Sequence, residues 1–235
     1  MSLSGEIKAQ LNQYLVNLKT SIVIDAFIDE SEASANMSEL LAELTEMTEK
    51  ISLNIHKDTD ERTPSFKINK PNESTGIQFA GIPLGHEFSS LVLAILQVGD
   101  HPLKISEDLI GQIKNIEGNF VFETFISLSC HNCPDVVQAL NILSLLNPNI
   151  SHCMIDGALF QDEVKRKKIM SVPTVFLNDN EFGQGRMELE EIINKIDTNS
   201  AEKKAEQITQ KELFDVLIVG GGPAGASAAI YSARK

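Results

Sequence analysis

Three cysteines are too few, and an awkward number, for a secreted chain stapled by disulfides, and only Cys130 and Cys133 lie close in sequence. That excludes a disulfide scaffold and points to a reducing compartment. Nor does any stretch approach the roughly 18 consecutive apolar residues that cross a bilayer. The opening MSLSGEIKAQLNQYL has helical spacing in place of a signal peptide's apolar block. A cytoplasmic protein that stays off the membrane is therefore expected. Basic charge is scarce as well: 20 Lys and Arg face 33 Asp and Glu, a formal charge of -13. Such a balance repels phosphate backbones and anionic headgroups, so neither nucleic acid nor a lipid surface suits as a partner. What remains is a globular composition, 42% hydrophobic over 235 residues, enough for one substantial core or two modest ones.

The apolar periodicity describes one unit used twice. Ile7, Leu11, Leu15 and Leu18 recur at steps of three and four, the mark of a helix with one buried face. The pattern then predicts strand 21–29, helix 37–51, strands 51–57, 63–69 and 75–82, and a closing helix over 85–99. The second half repeats the order: a helical lead-in over 105–115, strand 119–127, helix 132–146, strand 150–156, a helical stretch near 158–169, strand 172–178, a short EFGQG strand and helix 188–196. Phe27 answers to Phe125 and Pro64 to Pro173, which sets EASA (32–35) opposite CHNC (130–133). The first copy thus lacks thiols at the matching place. The expected division is residues 1–100 and 101–197 for the two copies, a polar linker over 198–213, and a distinct segment over 214–235.

Cys130 and Cys133 sit where the apolar strand NFVFETFIS gives way to a helical pattern. Unpaired N–H groups at a helix start favour a thiolate, and Pro134 fits the first turn, where its missing N–H costs nothing. With Val136, Val137, Leu140 and Leu143 on the apolar face, Cys130 falls at the exposed tip as the attacking thiol. Cys133, one turn on, is placed to resolve. Three other readings stand beside this one. Zinc needs four ligands, and the chain has no second pair, only His131, His152 and Cys153. Two inert structural thiols would suit a strand face. A cysteine protease would need a partner histidine and leaves one sulfur idle. Pro173, opening the strand VPTVFLN, would in cis free backbone groups beside the thiols to dock an extended substrate, or is an ordinary first-residue proline. Cys153 is read as a buried, inert thiol.

ETFISLSCHNCPDVVQALN together with SVPTVFLN strongly resembles the N-terminal domain of the flavoprotein subunit of bacterial alkyl hydroperoxide reductases, over essentially the whole chain. The resemblance implies two fused thioredoxin-like folds, of which only the second keeps its cysteines. It implies a disulfide oxidoreductase that carries electrons from the flavoprotein body of its own chain to the disulfide of its partner, the peroxiredoxin subunit of the same reductase, with Cys130 and Cys133 as the redox pair. It further implies an acidic residue of the first copy near that pair, matched here by Glu87, and a homodimeric full-length protein. A glutamate in a helix's first turn is also what the helix dipole favours unaided. The rival function is a docking adaptor whose cysteine pair is vestigial or zinc-bound.

FDVLIVGGGPAG is a strand running into Gly220, Gly222 and Gly225, followed by helix-like ASAAIYSARK. In that setting a G-x-G-x-x-G spacing permits a tight turn and a close approach of pyrophosphate to backbone N–H groups. It resembles the opening of the FAD-binding domain of the same flavoprotein. Because the sequence stops at Lys235, a fragment is expected in which no dinucleotide site is completed. FAD and NADH then belong to the full-length protein and no cofactor to this piece. The strand DVLIVG is expected to be disordered or to pair at an edge.

Overall fold

The structure, a computed structural model, describes residues 5–57, 59–197, 218 and 220–233. Met1–Ile196 forms one compact unit and Asp197–Lys235 a second. The first unit begins with helix α1 (Gly5–Leu15), strand β1 (Ile22–Phe27), helix α2 (Glu32–Met47) and strands β2 (Ile51–His56), β3 (Ser65–Lys70) and β4 (Glu73–Ala80). A 3-10 turn at Gly85–Glu87 leads directly into α3 (Phe88–Val98). The second copy follows as α4 (Glu107–Lys114), β5 (Phe120–Ile126), α5 (Cys133–Leu146), β6 (Ile150–Asp156), α6 (Gln161–Arg166), β7 (Thr174–Leu177), β8 (Asn180–Gln184) and α7 (Leu189–Ile196).

All eight strands join one sheet in the order β2-β1-β3-β4-β6-β5-β7-β8. Within it the order β2-β1-β3-β4 recurs as β6-β5-β7-β8, with the same directions: the first pair parallel, the next two antiparallel. The duplication is therefore real, and the copies meet head to tail through parallel pairing of β4 with β6, Ile77 opposite His152 and Phe79 opposite Met154. Gly76 makes that join possible. Its φ is +73°, and a Cβ there would stand 2.8 Å from the Ile150 carbonyl oxygen.

The copies differ in two places. Between β6 and β7 the second has α6, whereas no helix joins β2 to β3 among the described residues. The sheet face left without that cover is polar: Asp25 accepts hydrogen bonds from Asn54 (2.9 Å) and Asn69 (2.8 Å). The second difference is a loop length. Phe27 pairs with Ser65 and Phe125 with Thr174, as the alignment of the copies requires. Yet α2 starts five residues after Phe27, while α5 starts eight after Phe125. The opposition of EASA to CHNC thus needs correction: Glu32–Ala35 already lies in the first turn of α2, capped by Ser31, whose side chain accepts from the Ser34 N–H.

One core runs through both copies. Leu41, Ile68, Phe79 and Ile95 of the first share a buried cluster with Cys133, Val137 and Met154 of the second. Helix α5 turns its other apolar residues, Val136, Leu140 and Leu143, into a second cluster with Phe122 and Ile192. Because sheet and core both cross the seam, Phe79→Ala should cost about 3–5 kcal/mol. Urea unfolding should show one transition, with probes in the two copies moving together. Two separate transitions would show that the copies unfold independently.

In the second unit Pro223–Ser232 is a helix, α8. The linker over 198–213, and the strand DVLIVG apart from residues 218 and 220, lie outside the described residues.

Candidate active site

Cys130 and Cys133 are joined in a disulfide, Cα atoms 5.5 Å apart. Helix α5 begins at Cys133 with Asn132 as its cap, so Cys130 stands ahead of the helix rather than within it. Pro134 occupies the first turn, as its missing N–H favours. The two sulfurs have unequal surroundings: Cys133 is wholly buried, and Cys130 is partly open to solvent. This asymmetry follows from the chain path, since β5 ends at Ile126 and the loop carries Cys130 over the sheet's end before α5 turns inward.

The Val172–Pro173 peptide bond is cis, and the Val172 carbonyl oxygen lies 3.8 Å from the Cys130 sulfur. Met170 is 91% exposed and Val172 is partly exposed, so apolar side chains flank this edge. Sequence reading singled out Pro173 but not these neighbours. In the first copy the Thr63–Pro64 bond is likewise cis, and the Thr63 hydroxyl donates to Asp29 Oδ2 at 3.1 Å. Asp29, beside the residue that precedes one cis proline, holds the place that Cys130 holds beside the other. Ser31 and Ser34 also donate to its carboxylate and keep its pKa far below the usual range.

Glu87 comes to the site from the first copy. The turn that carries it packs on the cysteine loop: the His86 N–H donates to the Leu128 carbonyl (3.1 Å), and a Cβ on Gly85, at φ +58°, would stand 2.6 Å from the same oxygen. Glu87 is fully buried, and neither carboxylate oxygen has a hydrogen-bond partner among the described residues. Burial pushes its pKa up to about 7. It stands at the cap of α3 without making a capping bond. Beside it the His86 and His131 rings, one from each copy, lie with centroids 4.0 Å apart.

The other sulfur and nitrogen candidates are occupied elsewhere. His152, buried on β6, engages Thr124 and Asn141 through its two ring nitrogens, each at 2.8 Å, and burial pushes its pKa down to about 3. Cys153 packs under α6, in a cluster with Phe125, Ile155 and Phe176, and burial pushes its thiol up to about 12. Arg62, which neutralises Glu123 and Glu163, lies 3.9 Å from that sulfur. Among the described residues no three His, Cys, Asp or Glu side chains gather as a metal cage.

Gly222 caps α8 with extended backbone and no side-chain bond, and Gly220 has φ +110°. A Cβ on Gly225 would stand 2.0 Å from the Gly220 carbonyl oxygen. This turn fits the pyrophosphate portion of a dinucleotide such as FAD.

A thioredoxin domain family model matches residues 122–198, the copy that carries the cysteines. The F component of alkyl hydroperoxide reductase from Pseudomonas aeruginosa is 56% identical over 233 residues, 99% of this chain and 44% of that protein. The chain spans less than half the length of the curated relatives it matches. The crystal structure of the N-terminal domain of the alkylhydroperoxide reductase AhpF from Enterococcus faecalis superimposes with a TM-score of 0.77 at 32% identity, covering 83% of this chain and 99% of that one. A protein disulfide oxidoreductase from Aeropyrum pernix shares the fold at 20% identity, with a TM-score of 0.75 over 86% of this chain and 95% of that one.

Proposed function

The chain belongs to the family of N-terminal domains of the alkyl hydroperoxide reductase flavoprotein AhpF, and on that footing we propose that it is a dithiol–disulfide electron carrier. The observation that carries the reading is the unequal setting of the pair, Cys130 partly open beside the Val172 carbonyl and Cys133 enclosed.

In the reduced form the Cys130 thiolate attacks one sulfur of an acceptor disulfide. A mixed disulfide forms and the acceptor's other sulfur leaves as thiolate. Cys133 then gives up its proton and attacks the Cys130 sulfur, which closes the Cys130–Cys133 bond and releases the acceptor with two electrons gained. Glu87, buried and with its pKa near neutrality, suits acceptance of that proton. The edge at Pro173, with exposed Met170 and Val172, suits an extended segment of the acceptor laid beside Cys130. By the family likeness, the acceptor is the peroxiredoxin subunit of alkyl hydroperoxide reductase, and the donor is the flavoprotein body of the same chain. There Gly220, Gly222 and Gly225 would hold the pyrophosphate of FAD, which would relay electrons drawn from NADH. On this reading the whole protein works in the cytoplasm as a homodimer. No helix among the described residues is long and apolar enough to cross a membrane.

Titration against glutathione buffers tests the reading. Two thiols should appear together at one midpoint on reduction, Cys153 remaining unreactive in the folded protein. The rival reading, a docking adaptor, expects no reversible pair, or one stoichiometric zinc by elemental analysis of the protein as purified.

A further inference from the structure

Arg62 precedes Pro64 by two residues, the place that Ser171 holds before Pro173 in the second copy. Its side chain leaves the first copy altogether. The guanidinium grips Glu163 of α6 with two parallel bonds, Nε donating to Oε1 and Nη2 to Oε2, each at 2.8 Å. Nη2 donates to Glu123 Oε1 on β5 as well. A planar fork on a carboxylate fixes direction as well as distance, which a lone ammonium does not. All three side chains are largely buried, so solvent weakens the fork less than it would a surface pair.

Helix α6 needs such an anchor. It has six residues, and Phe160 at its start makes no side-chain capping bond. A helix this short does not hold itself together and takes its place from tertiary contacts. Phe160, Val164 and Ile169 pack on Phe125, Ile155 and Phe176, but apolar contact is non-directional, and the fork supplies the direction. What the helix carries is the edge beside Cys130. It ends with Lys168 at φ +55° and with the Ile169 N–H on the Val164 carbonyl at 3.0 Å, a closed turn that delivers the chain straight to Met170, Ser171 and Val172. Lys167, at its cap, pairs with Glu123 Oε2 and Asp179 Oδ1, both at 3.1 Å, so Glu123 ties Arg62 to this end of the helix too. A shift of α6 is therefore passed to the Val172 carbonyl and the Cys130 sulfur that it faces.

We propose that Arg62 is a positioning residue for the thiol exchange: through the fork on Glu163, the cysteine-free copy holds α6 and the Met170–Val172 edge where an acceptor segment docks beside Cys130. The inference rests on the electron-carrier reading and gives the first copy a task within it. Arg62 governs how well the acceptor is held and leaves the sulfur chemistry to Cys130 and Cys133. A small disulfide that needs no docking edge should not sense its loss.

Single-turnover oxidation of the reduced 235-residue protein tests this, with oxidised peroxiredoxin over a range of concentrations and, separately, with the small aromatic disulfide DTNB. Arg62→Met and Glu163→Gln should each raise the half-saturating peroxiredoxin concentration at least about tenfold, with the limiting rate and the DTNB rate within about twofold of wild type. The double variant should be no worse than the poorer single one, because either change already breaks the fork. Should Arg62→Met fail to fold by circular dichroism, Glu163→Gln, which keeps the shape of the side chain, carries the test alone. Unchanged half-saturation overturns the proposal, as do equal slowing towards both disulfides and effects that add in the double variant. If the reduced wild type delivers no electrons to the peroxiredoxin, the carrier reading falls and this inference with it. Normal delivery by wild type and variants alike rejects the inference alone.

Discussion

Cys130→Ser should lower electron delivery to the peroxiredoxin by at least about a thousandfold, since it removes the nucleophile. The measurement is NADH-driven peroxide turnover by the full-length flavoprotein with its peroxiredoxin, wild type against variant. Fold integrity is separable from chemistry here: Cys130 is partly exposed and touches the core only at its margin, so the variant should unfold close to the reduced wild type. Cys133→Ser should fail differently. Its Cys130 thiolate can still attack, but nothing resolves the product, so a mixed disulfide with the peroxiredoxin should accumulate on a non-reducing gel. Normal turnover in Cys130→Ser would sink the assignment. Accumulation of the adduct in Cys130→Ser, rather than in Cys133→Ser, would reverse the order of the two sulfurs.

Glu87→Gln should raise stability above neutrality and slow exchange at the same time. A carboxyl whose pKa is about 7 in the folded protein, against 4.5 unfolded, binds its proton more tightly when folded. Folding is then favoured most below the unfolded value, and stability is lost as pH rises through the folded one. The difference corresponds to roughly 3 kcal/mol once both states are ionised. Denaturant midpoints for the wild type should fall between about pH 5 and pH 8 relative to those of Glu87→Gln, which keeps the shape and discards the titration. Exchange with the peroxiredoxin should slow by about a hundredfold, the scale of a lost proton acceptor. Parallel pH profiles for the two proteins would show that Glu87 ionises without hindrance and is not the base.

The strands and helices were readable because their burial is local in origin. Alternation in SIVIDAF and the three-and-four spacing of Val136, Val137, Leu140 and Leu143 each specify a face without reference to the rest of the chain. The repeat was readable for the same reason, since matched periods recur whatever they pack against. Loop length between matched elements carries no such signal, and so the true counterpart of Cys130 proved to be Asp29, found only through its contact with Thr63. Glu87 looks like any helix-start glutamate until α5 and the cysteine loop close over it. Likewise His86 and His131 are 45 positions apart and meet because β4 pairs with β6. Local pattern fixes which residues are inside, but a pKa or a contact between two rings depends on neighbours brought in from afar.

The join between β4 and β6 has a further outcome. A head-to-tail contact, unlike a two-fold one, does not use up the surfaces that make it: β8 repeats the edge of β4, and β2 repeats that of β6. The same addition could continue from molecule to molecule as a growing filament. The terminal strands oppose it by composition, β8 with five residues that include Asn180, Glu181 and Gln184, β2 with Ser52, Asn54 and His56 turned to water. Replacing those polar side chains with valine or isoleucine would convert the pair of repeats into a seed for polymerisation.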